Sequence, residues 1–185
     1  MKNKTTAFTL LLFFCLLNST SFFGQKFLTK NGKVSFYSHT FVEDIKAENN
    51  QVLSIVDLES GEIAINVLMK SFVFEKALMQ EHFNENYVES DKYPKAKFSG
   101  TIKNLKELLS GEESLAKITG NITIHGVKKT ITIESIFNKS EKEVSLKGKF
   151  MINIKDYDIK IPNVVRNNIS DEVETSFQFI HQPYN

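Results

Sequence analysis

Along most of the chain, apolar side chains recur at every second position, the spacing that puts them on one face of a β-strand and their polar neighbours on the other. Val34, Phe36 and Ser38 share such a face, and Ile63, Ile65, Val67 and Met69 repeat the pattern after a turn expected at Glu59-Ser60-Gly61-Glu62. Further runs follow at Ile118, Gly120, Ile122 and Ile124, and at Ile131 and Ile133 with Phe137 in phase. The longest is Val144, Leu146, Gly148, Phe150, Ile152 and Ile154, and Val173, Thr175, Phe177 and Phe179 close the series. Lys, Glu, Thr, Asn and Ser fill the alternate positions, so each strand has a dry face and a wet one, as in antiparallel rather than buried parallel sheets. His125-Gly126 and Asn138-Lys139-Ser140 are short enough for hairpin turns, and no repeated helical crossover separates the strands. The predicted class is all-β.

One segment breaks the period of two. Phe74, Leu78, Met79, Phe83 and Tyr87 fall at spacings of four, one, four and four, which predicts a short helix over about 74–87 with a broad apolar face. Tyr93-Pro94 ends it, because proline drives the residue before it toward extended geometry. A weaker helical pattern at Leu105, Leu108 and Leu109 precedes an exposed loop expected at Ser110-Gly111-Glu112-Glu113.

Strands with one apolar face can bury it in a two-sheet sandwich or in a sheet closed on itself. Closure removes exposed edges, and about eight strands enclose either their own side chains or one small ligand. Phe36, Phe150 and Phe177 are large inward residues, whereas Gly120 and Gly148 contribute no side chain to the same face, a combination that permits a shaped cavity.

The first residues change the setting. Met1-Lys2-Asn3-Lys4 precedes an apolar run from Ala7 to Leu17 and the polar, small Asn18-Ser19-Thr20-Ser21, the layout of a cleavable secretory signal. The apolar run is about half of the ~20 residues a membrane-crossing helix needs. Cleavage fits after Ser21 or after Gly24, and Cys15 lacks the small preceding residue of a lipoprotein signal, since Phe14 stands there. Removing residues 1–24 removes the only cysteine, so no disulfide is available to the exported chain and burial must stabilise it. The loss of Lys2 and Lys4 takes the formal charge from +1 to −1, and no long block of one sign remains. Nucleic acid is therefore not an expected partner. Oligomeric state is left open, a homodimer being one of the arrangements the sequence allows.

Catalytic patterns find little support. Glu81-His82 has no second histidine four residues away, and His39, His125 and His181 are scattered, so no metal site and no cofactor are expected. His82 is expected at the surface or in a capping role. The serines and aspartates form no nucleophile elbow, and the eight glycines are dispersed rather than gathered in a phosphate loop. Lys92, Lys95 and Lys97 beside Tyr93 read either as a solvated strand face or as a landing place for an anionic head group.

Two stretches resemble the YceI-like family of exported lipid-binding proteins. The first holds Phe72-Val73-Phe74, Leu78-Met79, His82-Phe83, Tyr87-Val88-Glu89-Ser90 and Lys92 through Gly100; the second runs from Gly120 to Lys129. The similarity extends from about Lys33 to Phe179. It implies one YceI-like domain over 25–185, a lipocalin-like eight-stranded antiparallel β-barrel with the short helix near its mouth. It further implies a non-enzymatic protein of the bacterial periplasm or extracellular space that binds, transports or stores an isoprenoid, quinone-like or other long-chain apolar lipid in its lumen. The wall expected for such a ligand is Phe36, Phe72, Phe74, Leu78, Met79, Phe83, Tyr87, Tyr93, Phe98 and Phe150, with Met79 and Phe83 facing its chain. A solid barrel serving as a secreted interaction module and a hydrolase or isomerase on the same scaffold are the other readings. In Lys155-Asp156-Tyr157-Asp158-Ile159 the family's usual glycine is replaced by Asp158, which puts the local turn in doubt.

Overall fold

The structure is a computed structural model that describes residues 26–109 and 114–184. The signal segment and the loop at 110–113 lie outside the described residues. The strands are β1 (Lys26–His39), β2 (Asp44–Asp57), β3 (Glu62–Leu68), β4 (Val73–Phe74), β5 (Lys95–Ile102), β6 (Ser114–Ile124), β7 (Val127–Lys139), β8 (Val144–Asn153) and β9 (Glu172–Pro183). Antiparallel neighbours run β1-β9-β8-β7-β6-β5-β3-β2, and β2 pairs back onto β1, so eight strands close into a barrel. The short β4 continues the line of β3 beyond a single turn at Met69–Ser71 and pairs with Ala47 and Glu48 of β2.

The alternation read from the sequence is the alternation of the wall. Strands β6 and β7 are joined by a two-residue turn in which His125 (φ 50°) and Gly126 (φ 78°) are both left-handed, the geometry whose twist matches that of the flanking strands. The β7–β8 hairpin turns at 140–143, slightly later than expected, with the Ser140 hydroxyl accepting the Glu143 backbone N–H. The turn after β2 is closed by Gly61 donating to the Asp57 carbonyl at 2.8 Å.

The predicted helix over 74–87 needs correction at its start. Phe74 is in β4, where it pairs with Ala47 and takes the Gln80 side-chain oxygen on its N–H. The helix proper, α1, is Ala77–His82, and it widens into a π-type turn at Phe83–Tyr87 that ends with Val88 donating to the Phe83 carbonyl at 3.0 Å. Met69 and Ile154, read as strand positions, each begin a short 3₁₀ turn. The second helical pattern is a single turn, α2 (Leu105–Leu108).

The barrel is solid at one end. Phe27, Val52, Val56, Leu58, Ile102, Leu105, Leu108, Phe137, Val144, Leu146 and Phe179 are buried together there, with α2 forming part of the plug. Each such side chain contributes roughly 1.5–3 kcal/mol relative to exposure. Gly120 and Gly148 do not open the cavity as their sequence positions suggested. The Phe98 ring lies over the Gly100–Gly120 pair, and the Phe177 ring covers Gly148, so aromatic carbons occupy the space their side chains would take.

Asp158 retains the turn at the family's glycine position by adopting the left-handed conformation, φ 54° and ψ 25°, while its N–H donates to Lys155. That conformation is strained for a residue with a Cβ. Asp158→Gly is expected to raise stability by about 0.5 kcal/mol, and Asp158→Val to lower it, as read from urea unfolding midpoints.

Candidate ligand-binding site

The opposite half of the barrel is hollow. A cavity of about 290 Å³ opens at the end where β1, β3 and β8 finish and β2, β5 and β9 begin. That volume lies near the lower end for small-molecule sites. Its inner wall is built from alternate residues of successive strands: Val34 and Phe36 of β1, Ile65 and Val67 of β3, Ala96 and Phe98 of β5, Ile122 of β6, Ile131 of β7, and Phe150 and Ile152 of β8. A second apolar cluster borders the mouth, with Met69, Phe72, Phe74 and Val88 buried and Met79, Phe83 and Tyr87 packed against them.

Four phenylalanines make the roof. The Phe83 ring, brought inward by the π-type turn, lies 5.5 Å from Phe36, 5.7 Å from Phe72 and 5.0 Å from Phe74 between centroids. Phe36 also meets Phe72 and Phe74 at 5.3 and 5.6 Å. Such offset and edge contacts contribute about 0.5–1.5 kcal/mol per pair beyond burial. The Tyr87 phenol is pushed above its ordinary pKa by burial, so it stays neutral as a wall residue.

Of the ten expected wall residues, Phe36, Phe72, Phe74, Met79, Phe83, Tyr87, Phe98 and Phe150 line the cavity. Leu78 and Tyr93 do not. Leu78 stands 61% exposed on the outer side of α1, because one helical step separates it from Met79 and only one of the two can face inward. Tyr93 instead packs edge-on against His125 at 4.5 Å and beneath Gly126, whose lack of a side chain admits the ring. His82, expected at the surface or in a cap, is half-buried, lines the cavity and stands edge-on to Tyr87.

The expected basic landing place has a different setting. Lys95 and Lys97 project from the outer face of β5, out of phase with the inward Phe98. Lys92 lies 4.8 Å over the Tyr93 ring and 3.9 Å from Glu89. Glu89 also joins His125, whose other ring nitrogen bonds the Tyr157 carbonyl at 2.9 Å, so this cluster ties three loops together outside the lumen.

Sequence reasoning missed a polar corner of the mouth. Glu43, in the turn between β1 and β2, accepts Lys76 at 2.8 Å on one oxygen and Asn168 at 3.2 Å on the other. Lys76 first, then Asn168, holds its carboxyl below the ordinary carboxylate range. Ser38 at the end of β1 accepts the Ser170 N–H at 2.9 Å. These bonds lash the 162–171 strap to the barrel, and Arg166 and Lys155 both pair with Asp171 to hold the strap's far end. Among the described residues no group of three or more His, Cys, Asp or Glu side chains could hold a metal ion, and no helix is long and apolar enough to cross a membrane.

A closed eight-stranded antiparallel barrel, plugged at one end and hollow and apolar at the other, defines a lipocalin-like binding fold. The chain belongs to the family with a YceI-like domain, whose profile matches residues 26–180. It is 26% identical over 159 residues to a UPF0312 protein of Pseudomonas savastanoi pv. phaseolicola, covering 81% of this chain and 79% of that one. Another UPF0312 protein, from Pseudomonas syringae pv. tomato, is 28% identical over 139 residues, 70% of each chain. Among solved structures, a polyisoprenoid binding domain from Saccharophagus degradans superposes with a TM-score of 0.75 at 13% identity, over 86% of this chain and 99% of that one. BcnA of Burkholderia cenocepacia gives 0.68 at 18% identity, covering 80% and 95%.

Proposed function

We propose that this protein binds an isoprenoid or quinone-like lipid in the barrel lumen and carries or stores it without chemical change. The observation that carries the reading is the hollow half of the barrel, walled by apolar side chains and open at one end. A solid interaction module would have filled that space with its own side chains. The description of the Saccharophagus degradans domain as polyisoprenoid binding supports the ligand class. Each methylene-sized unit removed from water contributes roughly 0.8 kcal/mol. About ten such units give roughly 8 kcal/mol before the costs of association, so useful affinity needs few polar contacts.

The catalytic alternative has one feature to answer for, a serine–histidine pair. His181 and Ser54 are both fully buried and 2.9 Å apart, but they lie in the plugged end and neither is on the cavity wall. In our reading the protein works outside the cytoplasm, in the periplasm or beyond the cell, which the arrangement of residues 1–24 supports. Phe41 and Val164, both almost fully exposed in the β1–β2 turn and the strap, give the rim an apolar character suited to exchanging such a ligand with a lipid phase.

Native mass spectrometry of the purified protein, followed by organic extraction, is expected to find a co-purifying prenyl lipid. Ala96→Phe, which places a ring on the wall, is expected to cut bound lipid at least about tenfold while the protein stays folded. A protein that purifies empty and ignores added prenyl lipids would contradict the carrier reading.

A further inference from the structure

Most of the cavity wall is apolar, and its polar side chains gather chiefly at one corner, which carries a sign. Phe36 of β1 and Phe150 of β8 both pair with Thr175 of β9, which puts Thr175 between two aromatic wall residues. Thr175 is 8% exposed and lines the cavity, and while its backbone belongs to the ladders on both sides, its hydroxyl has no hydrogen-bond partner among the described residues. Two positions along β1 from Phe36, on the same face, Ser38 also lines the cavity. Its oxygen already accepts the Ser170 N–H, so its own hydroxyl hydrogen remains to be donated. Glu43 and Asn168 complete the corner, joined to each other at 3.2 Å.

The charges are arranged unequally around this corner. The Glu43 carboxylate is on the wall, whereas the Lys76 ammonium that pairs with it is not among the lining residues. Lys97 touches the cavity from β5 but is an exposed, outward position of that strand. Lys92 and Lys95 do not line the cavity, and Arg166 is occupied by Asp171 and the Ile169 carbonyl. His82 is the remaining basic side chain on the wall, on the α1 side next to Tyr87. A head group entering the corner therefore meets two hydroxyls able to donate or accept and one carboxylate able only to accept.

We propose that the corner of Ser38, Glu43, Asn168 and Thr175 selects lipids with an uncharged, oxygen-bearing head group and rejects phosphorylated ones of the same tail. The inference rests on the carrier reading and names the head-group class of that same site. Thr175 and Ser38 hydrogen-bond the head-group oxygen, and a hydroxyl head group donates in turn to Glu43. A phosphate there faces the Glu43 carboxylate at the mouth, and two like charges that close repel each other.

Displacement of the neutral fluorescent probe N-phenyl-1-naphthylamine from the full protein tests this with farnesol, farnesyl phosphate and the hydrocarbon farnesene, which share one tail. Farnesol is expected to bind at least about tenfold more tightly than farnesyl phosphate. Glu43→Gln, which keeps the length and a hydrogen-bonding group, should bring the two within about threefold, chiefly by tightening the phosphate. Thr175→Val should weaken farnesol about fivefold and leave farnesene unchanged. Equal or tighter phosphate binding in the wild type would overturn the proposal and point to His82 as the governing charge. So would a farnesol-to-phosphate ratio that Glu43→Gln does not move. If none of the three binds, the carrier reading itself falls, which separates its failure from that of the head-group selection.

Discussion

Gly120→Val is expected to lower the stability of the barrel by about 3 kcal/mol or more, with Gly120→Ala costing about 2 kcal/mol. Gly120 of β6 faces Gly100 of β5 directly across the ladder. A Cβ at Gly120 would stand 2.5 Å from the Gly100 Cα and 2.5 Å from the Ser99 carbonyl oxygen, and 2.7 Å from the Phe98 ring. The first two are backbone atoms in a paired strand, so no side-chain rotation relieves them. Gly32 offers a contrast, because its nearest neighbour is the Phe179 ring at 2.5 Å, with the Val52 carbonyl at 3.0 Å. There the ring takes most of the strain, and Gly32→Ala should cost less than Gly120→Ala. Urea unfolding of the three variants measures the order. An unshifted midpoint for Gly120→Val would mean that β5 and β6 are not packed this closely.

The same pair shows where sequence reading succeeds and where it stops. Alternation placed Gly120 on an inward position correctly, because the side-chain period of a strand is set by local geometry, whereas Phe98 entered the expected wall through the family resemblance. It left unsaid that the Phe98 ring would lie across the glycines, since that depends on the register between β5 and β6. Phe36, Phe150 and the helix residues Met79 and Phe83 were legible for the same local reason. Leu78 was not separable from Met79 until α1 had an orientation, and Tyr93 turned away because His125 and Gly126 made a place for it. The polar corner was illegible in a stronger sense. Glu43 and Asn168 are 125 residues apart in loops with no periodicity, and the closure of β9 onto β1 brings them together. The family resemblance chose the barrel over a sandwich, a choice alternation alone left open.

His181 should give the protein a stability that falls on mild acidification, and His181→Ala should cost about 3 kcal/mol at neutral pH. The ring is fully buried in the plugged end, with Nδ1 3.0 Å from the Val144 carbonyl and Nε2 2.9 Å from the Ser54 hydroxyl. A carbonyl can only accept, so Nδ1 carries the proton and Nε2 accepts from Ser54. Burial disfavours the charged ring and pulls its pKa below the ordinary 6.5, against a smaller opposing effect of the Val144 carbonyl. Below about pH 6.5 the unfolded chain therefore takes up a proton that the folded one resists, and folding loses at most about 1.4 kcal/mol per pH unit from this residue. Above pH 6.5 the contribution is complete. Glu43, Asp44 and Asp171 have lowered pKa values from their hydrogen-bonded partners, so their stabilisation is lost only in the more acidic carboxylate range. The two windows can thus be told apart. His181→Gln, which can donate to Val144 and accept from Ser54 without titrating, should flatten the pH 7 to 5 portion of the profile while leaving the acid limb in place. Unfolding free energies for the two proteins across pH 7 to 3 decide the matter, and parallel profiles would show that His181 is not the group that titrates.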